Sequence, residues 1–270
     1  MKNLSSLAIL SATYLLTILL GLQAAFTLIP LMYPPPGQEQ VVPPVVSNPS
    51  SPTSSLQLFL YILIVTAVML VLIKYALTWA IKILLGLSIV SGLLLSTILL
   101  LDWAGLILFA LLIILYLRRK DYTIVNVILM FTIAGIGALL GTSLTVIPAL
   151  ILLLVLAVYD YISVYITKHM VTLGESAKGN IPLLFLIPVS GRELGLGTGD
   201  IAIPLTLCAS ILKDYGAGYA IPTAFGGLIG LIGLFFYVEQ KKDHAAMPAL
   251  PPITIGLLFG FGITLLALGF

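Results

Sequence analysis

Apolar residues along this chain come in long unbroken blocks, separated by short polar punctuation. They do not alternate with polar ones as they would on a half-buried strand. A helix that crosses a bilayer needs about 20 consecutive, mostly apolar residues, and most of the blocks approach that length. They predict helices over 5–31, 56–76, 79–101, 103–117, 122–142, 145–167, 199–213, 218–238 and 252–269. The expected fold class is therefore all-α: a polytopic membrane protein with nine transmembrane helices. The first block, Leu4 to Met32, is far longer than the roughly 7–15 apolar residues of a signal peptide, so it reads as the first spanning helix.

The separators agree with this division. The Pro/Ser-rich stretch 33–55 cannot continue a helix. "RRKD" at 118–121 and "EQKKDH" at 239–244 are charged turns, and 168–198 is the one long polar connector. Three parts follow: 1–167 with six helices, the connector 168–198, and 199–270 with three helices.

Composition sharpens the picture. The chain is 60% hydrophobic and 8% charged, with mean hydropathy +1.21, whereas a soluble domain carries about 25% charged residues. Such a chain must face lipid, which points to a multi-pass protein of the cell membrane. No basic patch suggests nucleic acid. A single cysteine, Cys208, rules out an internal disulfide and reads as a packed small residue. Cytoplasmic loops collect Lys and Arg. With the N-terminus cytoplasmic and the C-terminus external, 11 of the 12 basic residues fall inside and Lys213 alone falls outside.

Asp160, in "LAVYDYISVY", is the only charged residue between Asp121 and Lys168. Its distance along the chain from Lys168 puts it roughly 12 Å below the cytoplasmic boundary. Asp200, in "LGLGTGDIAIPL", lies 13 residues from Lys213, which leaves it roughly 10 Å from the same boundary. A carboxylate at that depth costs at least a few kcal/mol and marks function by default. Two of them facing each other cannot both ionise, so they would share one proton and act as acid and base on a carbonyl and a water. The alternatives are hydrogen bonding to neighbours such as Tyr159, Tyr161 and Ser163, and a proton- or cation-coupled transporter that uses the same acids.

"YD" at 159–160, "GTGD" at 197–200 and "PAL" at 248–250, in this order on the sixth, seventh and ninth spans, resemble the signatures of the presenilin/signal peptide peptidase family of GxGD intramembrane aspartyl proteases. The resemblance implies hydrolysis of peptide bonds within substrate transmembrane helices, with Asp160 and Asp200 catalytic. It also implies that Pro248, Ala249 and Leu250 lie beside the active site and help hold substrate. With them, Leu196, Gly197 and Gly199 read as substrate contacts, the alternative for the glycines being a flexible entry into the seventh span, and Tyr159 as a contact beside Asp160 that tunes its proton or else only packs. The derived orientation and "PALP" are similar to the presenilin branch. The connector is shorter than that of animal presenilins, and the loop cut there has no clear counterpart. A chain of this kind could act alone or as a homo-oligomer.

The supporting motifs carry their own expectations. Cleavage requires the substrate helix to unwind, and unwound backbone in a membrane needs partners. The strand-like pieces 181–190 and 192–197 could supply them by strand addition. Alternatively, 181–190 is a re-entrant apolar segment. Prolines in "AMPALPPI" give the ninth span an irregular start, and its length of about 30 Å puts PAL at the cytoplasmic edge, above the aspartates, unless that helix is displaced inward, a choice the sequence leaves open. Gly135, Gly137 and Gly141, and Gly226, Gly227, Gly230 and Gly233, suggest close helix packing. His169, Glu175, Glu193 and Asp200 show no metal-ligand spacing, His244 reads as interfacial, and no cofactor is expected.

Overall fold

A computed structural model of the chain describes residues 2–46, 48–75, 77–119, 121–165, 184–189, 192–240 and 247–269. These residues form nine helices and one hairpin: α1 Lys2–Met32, α2 Pro52–Lys74, α3 Thr78–Leu101, α4 Trp103–Arg118, α5 Tyr122–Thr142, α6 Val146–Tyr165, β1 Leu184–Val189, β2 Arg192–Gly197, α7 Gly199–Tyr215, α8 Ala217–Gln240 and α9 Leu250–Leu268. Every expected span falls on one helix, with ends displaced by at most four residues. Seven helices are long and apolar enough to cross a membrane, and α4 and α7 are shorter. His169, Glu175 and His244 lie outside the described residues, as does most of the connector.

The helix α7 runs through the middle of the bundle. Ile201, Ala202 and every residue from Pro204 to Ile211 are buried, as expected of a helix that is apolar on all sides. It packs against α1, α5, α6 and α8. Glycines permit the closest crossings. A Cβ at Gly137 would lie 2.6 Å from Leu205 Cδ2, and one at Gly141 would run into the backbone of Thr206 and into Ala209. On α8 and α9, Gly226 and Gly230 face Gly256 and Pro252, so two small-residue ridges interlock. Gly233, expected in the same seam, faces open space instead, because it lies beyond the point where the two helices touch.

The loop between α5 and α6 is pinned by two neighbouring side chains of α7. Lys213 Nζ donates to Thr142 O (3.1 Å) and Leu144 O (2.5 Å) at the end of α5. Asp214 Oδ2 accepts the N–H of Val146, the first residue of α6, at 2.9 Å. A cation thus meets a helix C-terminus and an anion meets a helix N-terminus, each the favoured sign. The two side chains lie 3.7 Å apart, and the Lys213 ammonium also lies 5.2 Å from the centre of the Tyr33 ring.

Replacing Lys213 with Met strips both carbonyls of this donor. An unsatisfied buried group costs about 1–3 kcal/mol, so Lys213→Met is expected to lower the melting temperature in detergent clearly. Asp214→Asn keeps an oxygen for the Val146 N–H and is expected to lower it less.

Candidate active site

Asp160 continues the inward stripe of α6. Leu153, Leu156 and Ala157 are buried one and two turns before it, and residues at this spacing share a helix face. Asp200 is the second residue of α7, where unpaired N–H groups and the helix dipole favour an anion.

Helix length makes the two carboxylates level. The Val146–Asp214 hydrogen bond ties α6 to α7 at one end. Asp160 follows Val146 by 14 residues and Asp200 precedes Asp214 by 14, each about 21 Å of helix. The two acids thus come to matching heights on helices that pack against each other.

Backbone lies against both acids. Asp160 Oδ2 accepts the N–H of Leu250 at 3.2 Å, with Ala249 beside it at the N-cap of α9. These groups open α9, so Asp160 occupies the kind of anion site that a helix N-terminus provides. Of the two placements the sequence leaves open, this is the inward one, with PAL beside Asp160. The irregular segment before Leu250 lets α9 begin at the depth of Asp160, and Pro248, Ala249 and Leu250 are all buried. At Asp200 it is the backbone of Gly197 that comes close.

The other expected residues divide. A Cβ at Gly197 would sit 2.7 Å from Asp200 Oδ2, whereas one at Gly199 meets nothing within 4 Å. Gly197 is thus required by close approach, and Gly199 borders open space. Leu196 is buried and pairs with Phe185 across the hairpin. The Tyr159 ring turns towards α2, edge-on to Phe59 with centroids 6.0 Å apart. Among the described residues no cluster of His, Cys, Asp and Glu could hold a metal.

The two strand-like pieces pair with each other. β1 and β2 are antiparallel in the register Leu184↔Gly197, Leu186↔Gly195 and Pro188↔Glu193. Phe185 and Ile187 point into the core, and β1 leans on α1 and α5. Two polar features of the surroundings had not been singled out in the sequence. One is the Lys213–Asp214 pair. The other is Asn126 on α5, whose side-chain amide bonds the backbone of Leu186 twice. A carboxamide inside an otherwise apolar span was the available signal.

The two acids thus lie on packed helices of a bundle with several candidate membrane spans. Comparisons with known proteins identify the family and the fold. A family model described as signal-peptide peptidase, presenilin aspartyl protease matches residues 38–195, a range that includes Asp160 and most of the hairpin and ends before Asp200. Among solved structures, the fold matches a presenilin family intramembrane aspartate protease in a C222 crystal form. There the TM-score is 0.69 and the identity 23%, over 97% of this chain and 99% of that one. A P2 crystal form, also described as a presenilin family intramembrane aspartate protease, matches with TM-score 0.66 and 27% identity, over 96% and 97% of the two chains. Among curated proteins, none matches this chain. The chain belongs to the presenilin/signal-peptide peptidase family of aspartyl proteases and is a multi-pass integral membrane protein.

The two glycines give separable predictions. Gly197→Ala pushes against the Asp200 carboxylate and is expected to lower kcat about 100-fold, since displacement of about an ångström costs that much. Gly199→Ala is expected to leave kcat and the melting temperature unchanged and to raise KM, the mark of a contact made equally in ground and transition states. Steady-state kinetics on a membrane-spanning peptide would separate the two.

Proposed function

We propose that Asp160 and Asp200 form the catalytic pair of an intramembrane endopeptidase whose substrates are transmembrane helices. The observation that carries this reading is the seating of Asp160 on the N–H of Leu250 at the start of α9, on a helix packed against the one that carries Asp200. Held together in an apolar bundle, the two acids share one proton. The ionised member takes a proton from water as it attacks the scissile carbonyl, and the protonated member gives its proton to the carbonyl oxygen. In the second step the ionised acid takes a proton from a hydroxyl of the tetrahedral diol while the protonated acid gives its own to the amide nitrogen, the C–N bond breaks to release carboxyl and amine, and the two acids regain their starting forms with one proton between them. Family membership favours this chemistry over ion transport through the same acids. Both acids belong to one chain, so the chemistry needs no second copy.

Substrate binding follows from the hairpin. In an antiparallel ladder, residues turn their N–H and C=O groups alternately towards and away from the partner strand. Leu186 gives both groups to Asn126, so its partner Gly195 directs its own to the opposite edge, together with Glu193 and Gly197. That outer edge of β2 pairs with no strand among the described residues, and at Gly197 it runs into the Asp200 carboxylate. An unwound substrate segment added to this edge would satisfy its backbone inside the membrane and carry its peptide bond to the aspartates. Leu196, Gly197 and Gly199 then border the bound strand, Pro248, Ala249 and Leu250 set the wall opposite, and Tyr159 fixes α6 against α2.

The same reading takes all nine helices as spans, with the N-terminus cytoplasmic and the C-terminus external. The Lys213–Asp214 contact supports it, because the one basic residue on the outer side is neutralised locally. In sealed vesicles of known orientation, a cysteine placed at Gly37 is expected to react with an impermeant maleimide from the external side only.

Asp160→Asn and Asp200→Asn are each expected to lower cleavage of a membrane-spanning peptide by more than about 10³-fold, around the upper range for general acid–base catalysis, with the protein still folded. Turnover near the parent rate in either variant would remove that residue from the mechanism.

A further inference from the structure

The two edges of the hairpin are not equivalent. Asn126 Nδ2 donates to Leu186 O at 2.8 Å, and Leu186 N–H donates to Asn126 Oδ1 at 3.1 Å. A side-chain amide has the donor and acceptor of a peptide group, so Asn126 stands where a third strand's backbone would stand. It closes the outer edge of β1 at the position opposite Gly195. The contact is made from α5, which packs directly on the catalytic helix α7.

We propose that Asn126 is a positioning residue that sets the cleavage register. By mimicking a neighbouring strand it blocks substrate addition to β1, and by gripping Leu186 it fixes the hairpin's height on α5. Substrate is then confined to the β2 edge, at one offset from the Asp200 carboxylate. A two-residue slip of an added strand keeps its side chains on the same faces, so side-chain packing alone does not fix the offset, and the held hairpin does. This inference rests on the reading that substrate docks on the β2 edge.

The test uses the full chain in lipid nanodiscs and a membrane-spanning peptide with a single scissile region. Asn126→Leu removes both hydrogen bonds and keeps an apolar side chain of similar size on the helix. Asn126→Gln retains the amide on a longer stem. Asn126→Leu is expected to split the single dominant product into a ladder, by mass spectrometry, and to raise KM about tenfold, as the loss of a pair of hydrogen bonds allows. Asn126→Gln is expected to return most of the product to the parent position. A product pattern and KM in Asn126→Leu equal to the parent's would overturn the proposal.

Crosslinking tells that failure apart from failure of the docking reading. In a Cys208→Ala background, Gly195→Cys adds a side chain whose Cβ has the flexible Leu184 side chain as its nearest neighbour, at 3.2 Å. Oxidation with peptides that each carry one cysteine is expected to capture a single peptide position when Asn126 is present and neighbouring positions as well in Asn126→Leu. The same single position in both overturns the role of Asn126 alone. Capture in neither overturns β2 docking and this inference with it.

Discussion

Backbone at the entrances to two helices lies against the two carboxylates of this protein. α9 opens at Ala249 and Leu250 directly onto Asp160, and the turn from β2 into α7 lays Gly197 against Asp200. A bare carboxylate in an apolar interior would be expensive. Fixed N–H dipoles replace part of the water it has lost and do not have to reorganise during reaction. The requirement to deliver those dipoles explains much of the surrounding sequence. Prolines before and within the start of α9 break the helix so that it can begin inside the bundle, and glycine at 197 lets the backbone come close enough to touch an acid.

Depth is the second constraint. Two acids on different helices meet only if the helices are held in longitudinal register. The Lys213–Asp214 contact with the α5–α6 turn supplies that register from the far end, about 21 Å away. Small residues supply the lateral closeness. Gly137 and Gly141 seat α7 on α5, and the α8–α9 seam fixes the helix that carries the PAL segment. In a bilayer, where lipid removes most of the hydrophobic drive between helices, such caps and close crossings carry a large share of the specificity.

The sequence revealed what depends on local composition and length. Apolar blocks located every helix, and counting residues from the nearest charges put Asp160 and Asp200 at one depth. The strand-like pieces 181–190 and 192–197 were legible too, because glycine and proline punctuate them. Three features were not legible. The position of PAL stays open in the sequence because a length estimate does not say where a helix begins, and α9 begins beside Asp160. Asn126 and the Lys213–Asp214 pair passed unnoticed because their partners lie about 60 to 70 residues away, and nothing local specifies such contacts. Gly197 and Gly199 look alike in sequence, and only the fold shows that one abuts a carboxylate while the other faces open space.

The central claim is that the two acids work as a pair with one proton between them. The pH dependence of kcat/KM tests it most directly, because it reports the ionisation of the free enzyme's essential acid and base. One shared proton requires a bell-shaped profile, with activity lost at low pH when both acids are protonated and at high pH when both are ionised, the two limbs belonging to the pair. A profile with a single limb, or one flat from about pH 4 to 9 where perturbed carboxyl pairs titrate, would contradict the account.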